Sequence, residues 1–548
     1  MRFANAGSAR GRIVSSDNDS PLSTMQASET AENGKPSPAL LPLERATKAH
    51  WFVLSLLFAA GAAVRFFCLD RKPFWFDECF SVEVARIDWR NFLHLLWWRE
   101  ANMSLYYVLL RIWLHLGNSP FFIRSLSAVI AAATLPAVYW LARLLYDRRV
   151  ALIAAALLAF NAYDVRYAQE ARSYSLFVLL AALSSGFLIA WLQHPTRRNW
   201  RGYILMSILA VYAHFYALLL IAVHGLALYR LGGTRLGGNQ DEPALRAALR
   251  RAWIVIGIAV LPLLIFVAKT GAGPIKWIHR PGPADLLQLY EHLAGGSSWI
   301  LLVLVAAACV AAIFPFGRSL LRQAQSWEIW CSQFLLIWLI FPPLLTALLS
   351  FARPVFLGRY MIFCLPAFLI LAAAGLARLR QAWLLGSAWA AILFLCCQGV
   401  SFVYAHDFDD ERDASGMATN LILNQARPGD AILFHIAEAR IPYEFFRSSR
   451  AGVNTSSPNY TGQLGPEIVF PHHGSELDYR DFTGKPTTDL VRSVSAAHPR
   501  VWLMLMNNGP PGKPDPTTEM LTKTLPESFP HWQTWQFARV EVRLYSRQ

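Results

Sequence analysis

Two adjacent carboxylates set among aromatic side chains are the first residues in this chain whose types and spacing suggest chemistry. Pro73-Phe74-Trp75-Phe76-Asp77-Glu78-Cys79-Phe80-Ser81 follows the first long apolar run almost at once. Charged groups close to a bilayer are costly, so they usually have a partner or a task. One carboxylate can take a proton from an acceptor hydroxyl while its neighbour holds a cation, an amine or a hydroxyl. Such general-base assistance is typically worth about 10²–10⁴-fold in rate. Adjacent acids also tend to separate in proton affinity, which favours different roles. A purely structural pair, salt-bridged to Arg71, Lys72 or Arg86, accounts for the same residues and stands beside the catalytic reading.

Three further clusters share that chemistry. In Asp164-Val165-Arg166-Tyr167-Ala168-Gln169-Glu170-Ala171-Arg172-Ser173-Tyr174, a helix beginning near Glu170 would set Glu170 and Tyr174 on one face at i,i+4. Arg172 would lie close by. A helix-end salt network is the alternative. Arg353-Pro354-Val355-Phe356-Leu357-Gly358-Arg359-Tyr360 is a short loop with two arginines and no acid. Its guanidinium groups suit an anionic phosphate, bound bidentately, or lipid headgroups, or Asp77 and Glu78. His214, between Tyr212 and Tyr216, could contact sugar hydroxyls or a metal, although a lone histidine is more often a satisfied structural residue. His472-His473 and the acids at 407, 409, 410, 411 and 413 read better as solvated loop and helix cap. The triplets at Asn102, Asn454 and Asn459 fit a glycosylation acceptor pattern that is common by chance. The chain shows no Gly-rich phosphate loop, zinc helix motif or nucleophile elbow, so nucleotide-driven chemistry has no support.

The elements that must position these groups are membrane helices. The 548 residues are 55% hydrophobic, and apolar runs of 18 or more recur, the mark of a polytopic α-helical membrane protein. The net charge of +14 does not indicate nucleic-acid binding. Residues 405–548 carry 14 Lys/Arg against 17 Asp/Glu, so the first 404 hold the whole excess, mostly as Arg in short gaps between apolar runs. That is the positive-inside pattern. Seven cysteines show no zinc or disulfide spacing. Residues 1–44 read as a disordered cytoplasmic tail, and 45–404 as a transmembrane domain of about eleven helices with a first outer loop at 70–121. Within that loop, Phe92–Trp98 and Leu105–Leu116 read as interfacial helices. Residues 203–231 read as two short helices bent near 212–216. Span parity places residues 405–548 outside, as a small α/β domain with a helix at 413–424 and strands at 431–435, 501–506 and 540–545.

At this point the residues resemble a known group. Phe74-Trp75-Phe76-Asp77-Glu78 with Ser81 and Ala85 is similar to the first-outer-loop motif of GT-C membrane glycosyltransferases. The match points to bacterial family-39-like (PMT-type) proteins, which include aminoarabinose transferases and mannosyltransferases. Leu105–Leu110, Tyr167–Tyr174, Tyr212–Tyr216, and Arg359-Tyr360 followed by Leu365-Pro366 resemble later blocks, in consistent order over about 50–440. The resemblance implies a polyprenyl-phosphate-linked sugar donor, an acceptor that is a glycan, lipid or protein, and inverting transfer on the extracytoplasmic face of the inner membrane. It implies Asp77 as general base and Glu78 in support or on a divalent metal ion. Arg359, with Arg172, would sit on the departing lipid phosphate. Trp75, Glu170, Tyr174, His214, Tyr216 and Tyr360 fall in the same blocks as substrate-binding candidates. Asn102-Met103-Ser104 departs from the His-Pro-Pro of many members. A transporter or flippase for lipid-linked or anionic solutes, and a non-catalytic receptor acting through its outer domain, are the competing classes.

Overall fold

A computed structural model of the chain describes residues 47–98, 100–231, 242–270, 278–296, 298–322, 326–406, 410–452, 464–471, 484–506 and 514–547. The tail expected over 1–44, His472-His473, the triplets at Asn454 and Asn459, and Asp407 and Asp409 lie outside them, as do the side chains of Asp410, Glu411 and Asp413.

Helix α1 (Lys48–Phe66) starts at Thr47, whose hydroxyl accepts from the His50 amide at 3.2 Å. Three short helices follow in place of the first outer loop: α2 (Phe76–Arg86), α3 (Trp89–Trp98) and α4 (Ser104–Trp113). The last two match the expected interfacial stretches. Helix α5 (Pro120–Leu145) is capped by Ser119 and opens on Pro120, both favourable at a first turn. Helices α6 (Arg148–Ala159) and α7 (Ala162–Ala168) meet at a 59° bend. Asn161 holds the bend, accepting from the Asp164 amide and donating to the Leu293 carbonyl, each at 3.0 Å. Then come α8 (Tyr174–Gln193), α9 (Arg197–Ala213), α10 (Ala217–Leu231), α11 (Glu242–Thr270), α12 (Pro283–Ala294), α13 (Trp299–Ile313) and α14 (Trp327–Leu349). A 3₁₀ turn (Gly358–Cys364) leads into α15 (Leu365–Leu376), and α16 (Ala382–His406) closes the bundle.

Among the described residues, eight helices are long and apolar enough to cross a membrane, or nine if α6 and α7 form one span. The expected eleven is not reached on those grounds. The two short helices around 212–216 do form, but α9 opens on Arg197-Arg198-Asn199-Trp200-Arg201 and α10 has only 15 residues. Helices α13 and α15 cross closely at Gly375 of α15, where a Cβ would stand 1.7 Å from the Ala308 carbonyl oxygen of α13. Only a residue without a side chain lets two backbones approach so closely. A charge inside the first span is matched internally. Arg65 donates to Asp164 Oδ2 at 2.5 Å and to the carbonyls of Gly61, Leu158 and Ala159, tying α1 to the α6–α7 bend.

The C-terminal domain runs α17 (Asp410–Gln425), β1 (Ala431–Phe434), α18 (Arg440–Ala451), β2 (Glu467–Phe470), α19 (Thr488–Ala497), β3 (Arg500–Met506), α20 (Pro516–Ser528), β4 (His531–Phe537) and β5 (Val540–Ser546). The sheet order is β2-β1-β3-β5-β4, with β1 parallel to β2 and β3, and β5 antiparallel to β3 and β4. Alternation along β1 sends Ala431 and Leu433 into one core with Val491 and Leu521, and Ile432 and Phe434 into the other with Ala418 and Ile422. The sequence foresaw β1, β3 and β5 but not the edge strands β2 and β4. Helix α18 docks on α2. Phe445 lies 4.6 Å from Phe74, and the Arg86 guanidinium stands over the Phe445 ring.

One side chain at the start of α5 holds the segment before α2 in place. Arg124 Nε and Nη2 donate to the two oxygens of Glu78 at 2.8 and 2.7 Å. Nη1 donates to the carbonyls of Leu69 and Lys72, and Nη2 also to that of Pro73. All five guanidinium N–H groups are used, and both side chains are fully buried. Glu78 Oε1 also accepts from the Ala171 amide at 2.9 Å, bringing in the turn before α8. Removing one partner of a buried pair strands the other charge and typically costs about 3–5 kcal/mol. Glu78→Ala is expected to lower the thermal unfolding midpoint of the detergent-purified protein by a loss of that size. An unchanged midpoint would contradict the role given to the pair.

Candidate active site

Asp77 occupies the first turn of α2, where a carboxylate faces the positive end of the helix dipole. Four residues on, Ser81 Oγ donates to the Asp77 carbonyl at 2.9 Å. Arg172 comes in from the turn between α7 and α8 and donates through Nη1 to that carbonyl and to Ser81 Oγ, both at 3.3 Å. The Arg172 carbonyl in turn accepts from Ser127 Oγ, which is bonded to the Tyr106 hydroxyl at 2.8 Å. So α2 holds this guanidinium, while α5, backed by α4, holds the backbone that carries it.

The Asp77 side chain is held more loosely. Its Oδ2 lies 3.7 Å from Arg172 Nη2 and 3.6 Å from Arg359 Nη2, beyond good hydrogen-bond length. That oxygen is buried and has no hydrogen-bond partner among the described residues. Arg359 sits at the head of the 3₁₀ turn before α15, its guanidinium over the rings of Trp75 (5.6 Å) and Tyr360 (5.9 Å). A carboxylate between two cations, with hydrogen-bonding capacity to spare, can accept a proton. The same cations can hold an anion.

Aromatic groups wall the other side. His214, in the break between α9 and α10, stacks on Phe177 at 5.0 Å and meets Tyr216 and Tyr360 edge-on at 5.3 and 4.7 Å. Its Nδ1 accepts from the Tyr216 amide, whereas Nε2 is buried without a hydrogen-bond partner among the described residues. The Tyr216 hydroxyl donates to the Val355 carbonyl, which fixes the loop carrying Arg359. Tyr174 opens α8 with its ring 4.7 Å from Tyr167, and its hydroxyl is likewise buried without such a partner. The Asn102-Met103-Ser104 segment clamps the site to the α9–α10 break. Asn102 Oδ1 accepts from the Phe215 amide at 3.1 Å, and Ser104 Oγ donates to the Tyr212 carbonyl at 3.3 Å.

The structure thus gathers Asp77, Trp75, Arg172, Arg359, Tyr360, His214 and Tyr216 from distant parts of the chain. It parts Asp77 from Glu78. The expectation of Glu78 as a second catalytic or metal-binding acid meets a carboxylate whose two oxygens are both engaged by Arg124, and in place of Arg71, Lys72 or Arg86 the acids face Arg124 (Glu78) and Arg172 with Arg359 (Asp77). Glu170 is also not on α8, which begins at Tyr174. It lies in the preceding turn, with Oε1 3.9 Å from Arg166, so the proposed i,i+4 face does not form. Among the described residues, no group of three or more His, Cys, Asp or Glu converges as a metal site. The donor set fits a divalent ion poorly, because Asp77 already faces two guanidinium groups.

Sequence reasoning missed Arg124, which immediately precedes the apolar run from Ser125, and Glu100. Glu100 lies in the loop between α3 and α4, partly buried. Burial pushes its carboxyl up to about 7, with Arg172 pulling it down and the charge of Asp77 pushing it up. The signal that could have found it was an acid next to the resemblance block that opens at Leu105.

No family model and no curated protein sequence matches the chain. Solved structures do. ArnT from Cupriavidus metallidurans in the apo state is 14% identical at a TM-score of 0.59, covering 91% of this chain and 99% of that one. The same protein bound to undecaprenyl phosphate is 15% identical at 0.58, covering 91% and 98%. An oligosaccharyltransferase from Archaeoglobus fulgidus, tethered to an acceptor peptide, is 11% identical at 0.48, covering 83% and 69%. At such identities what is shared with ArnT is architecture: a helical membrane bundle carrying a C-terminal sheet domain. Over nine-tenths of its length this chain has the GT-C fold of ArnT.

Proposed function

We propose that this chain is a glycosyltransferase that moves a hexosyl or pentosyl unit from a polyprenyl-phosphate donor to an acceptor hydroxyl. The observation that carries the proposal is Asp77 Oδ2, buried, without a hydrogen bond, and set between Arg172 and Arg359. A fold also found with undecaprenyl phosphate bound supports it. The basic charge of the loops opposite the site supports a reading in which the site and the C-terminal domain face the extracytoplasmic side of the inner membrane and the N-terminus the cytoplasm. None of the comparisons supports a transporter.

In this reading the acceptor oxygen attacks C1 of the sugar from the Asp77 side. The bond from C1 to the phosphate oxygen breaks as the bond to the acceptor forms, with inversion. The acceptor proton passes to Asp77. The electron pair leaves with the lipid phosphate, whose growing charge Arg359 and Arg172 neutralise. The rings of Trp75, Tyr360 and Tyr216, with His214, offer faces and edges for the sugar. Glu78 acts only through position, by fixing the turn from which Asp77 projects. Asp77→Asn keeps the shape but cannot take the proton. Transfer of radiolabelled sugar by the purified variant should fall about 10²–10⁴-fold or more with membrane insertion intact. Near-normal turnover would sink the assignment.

Glu100 gives the site a pH response of defined sign. Below about 7 its carboxyl is neutral, and above about 7 it is negative. The negative form opposes an incoming phosphate and competes for Arg172. The apparent KM for the donor should therefore rise as pH increases through 7, and Glu100→Gln, neutral throughout, should flatten that rise. Superimposable KM profiles for the two proteins would exclude Glu100 from the donor site.

A further inference from the structure

A second basic site lies at the other end of the bundle. Helix α6 begins there and α15 ends there, while their far ends lead to the Asp164 bend and away from the Arg359 turn. A cleft of about 760 Å³ opens between the end of α13 and the segment after α15. Its charged lining is Arg149, Arg378 and Arg380, with no carboxylate among the lining residues, and the remainder is apolar, including Val310, Phe314 and Pro315. Two of the arginines are steadied without being used up. Arg149 gives one N–H to the Leu379 carbonyl at 3.2 Å, and the Arg378 guanidinium lies over the Phe316 ring at 5.1 Å. All three remain exposed.

Three guanidinium groups around one cleft repel one another unless an anion lies between them. The surface leading away from them is hydrocarbon. Along α13, Ile300, Val303 and Val310 stand outward, and Phe314, just past its end, is 79% exposed. An anion carrying an apolar tail satisfies both surfaces at once, and basic pockets between membrane helices are known to take such headgroups. The geometry points to a binding site for an anionic glycerophospholipid, its phosphate between Arg149, Arg378 and Arg380 and an acyl chain along α13. This site is separate from the Asp77 centre and does not depend on what that centre does.

The test uses full-length protein in detergent, washed free of bulk lipid and titrated with phosphatidylglycerol or phosphatidylcholine, with bound lipid read by native mass spectrometry. One phosphatidylglycerol per chain is expected, preferred at least about tenfold, since phosphatidylcholine would bring a trimethylammonium cation up against three guanidinium groups with no carboxylate to receive it. Arg378→Gln with Arg380→Gln should abolish the preference. Arg250→Gln with Arg251→Gln, at exposed positions of α11, should leave it intact. Equal binding of the two lipids, or equal loss in the α11 variant, overturns the site in favour of diffuse charge. If the cleft variant does not fold, wild-type protein is labelled with a photoreactive phosphatidylglycerol. Crosslinks at 307–315 and 377–380 support the site, and crosslinks confined elsewhere overturn it. Displacement of the bound lipid by polyprenyl phosphate but not by phosphatidylglycerol also overturns it.

Discussion

Arg124 cannot be solvated where it lies, so every one of its N–H groups must be matched from within the protein. The partners are the Glu78 carboxylate and the carbonyls of Leu69, Lys72 and Pro73. The irregular chain from Leu69 to Pro73 is thereby bound to one head group on a rigid helix, which sets the direction in which α2 leaves that knot. Because Glu78 also accepts the Ala171 amide, the turn that delivers Arg172 is registered against the same point. The spatial relation between Asp77 and Arg172 is thus inherited from an interaction that involves neither side chain.

Against this rigid background the Asp77 carboxylate is held by charge alone. Its contacts with Arg172 and Arg359 are ion pairs at 3.6–3.7 Å without a hydrogen bond, so they can be exchanged for a competing anion with little loss. Arg172 is fixed by Ser81 and backbone carbonyl contacts, whereas Arg359 rests on the aromatic faces of Trp75 and Tyr360. The base thus lies between two positive charges delivered by separate segments of the chain.

Much of this was legible in sequence because the relevant signals are local. Apolar runs marked a bundle of membrane helices and the short helices at 92–98 and 105–116, and the Asp77, Arg172, Arg359 and His214 blocks stood out by composition. What was hidden is pairing across the chain. Arg65 and Asp164 are 99 residues apart, and Glu78 and Arg124 are 46 apart. Each arginine lies within or against an apolar run, where a single charge looks like a boundary rather than an anchor. The edge strands β2 and β4 escaped because one has four residues and the other exposes most of its side chains. Span number is a matter of degree, since α9 and α10 are helices that fall short in length or apolarity.

The contact between α18 and α2 has a consequence for how such proteins can diversify. Phe445 rests on Phe74, and Phe74 lies 4.2 Å beneath the Arg124 guanidinium. Ala437, Ile441 and Phe445 belong to the same apolar cluster as the membrane helices. The sheet domain is therefore grafted into the bundle's own core rather than tethered beside it. Recombination that exchanged the sheet domain for a foreign one would have to bring a matching surface for residues 74–86, or leave the ring beneath Arg124 bare. Domain shuffling at this boundary is constrained by that apolar seam, and variation in the sheet domain is free only on the faces turned away from it.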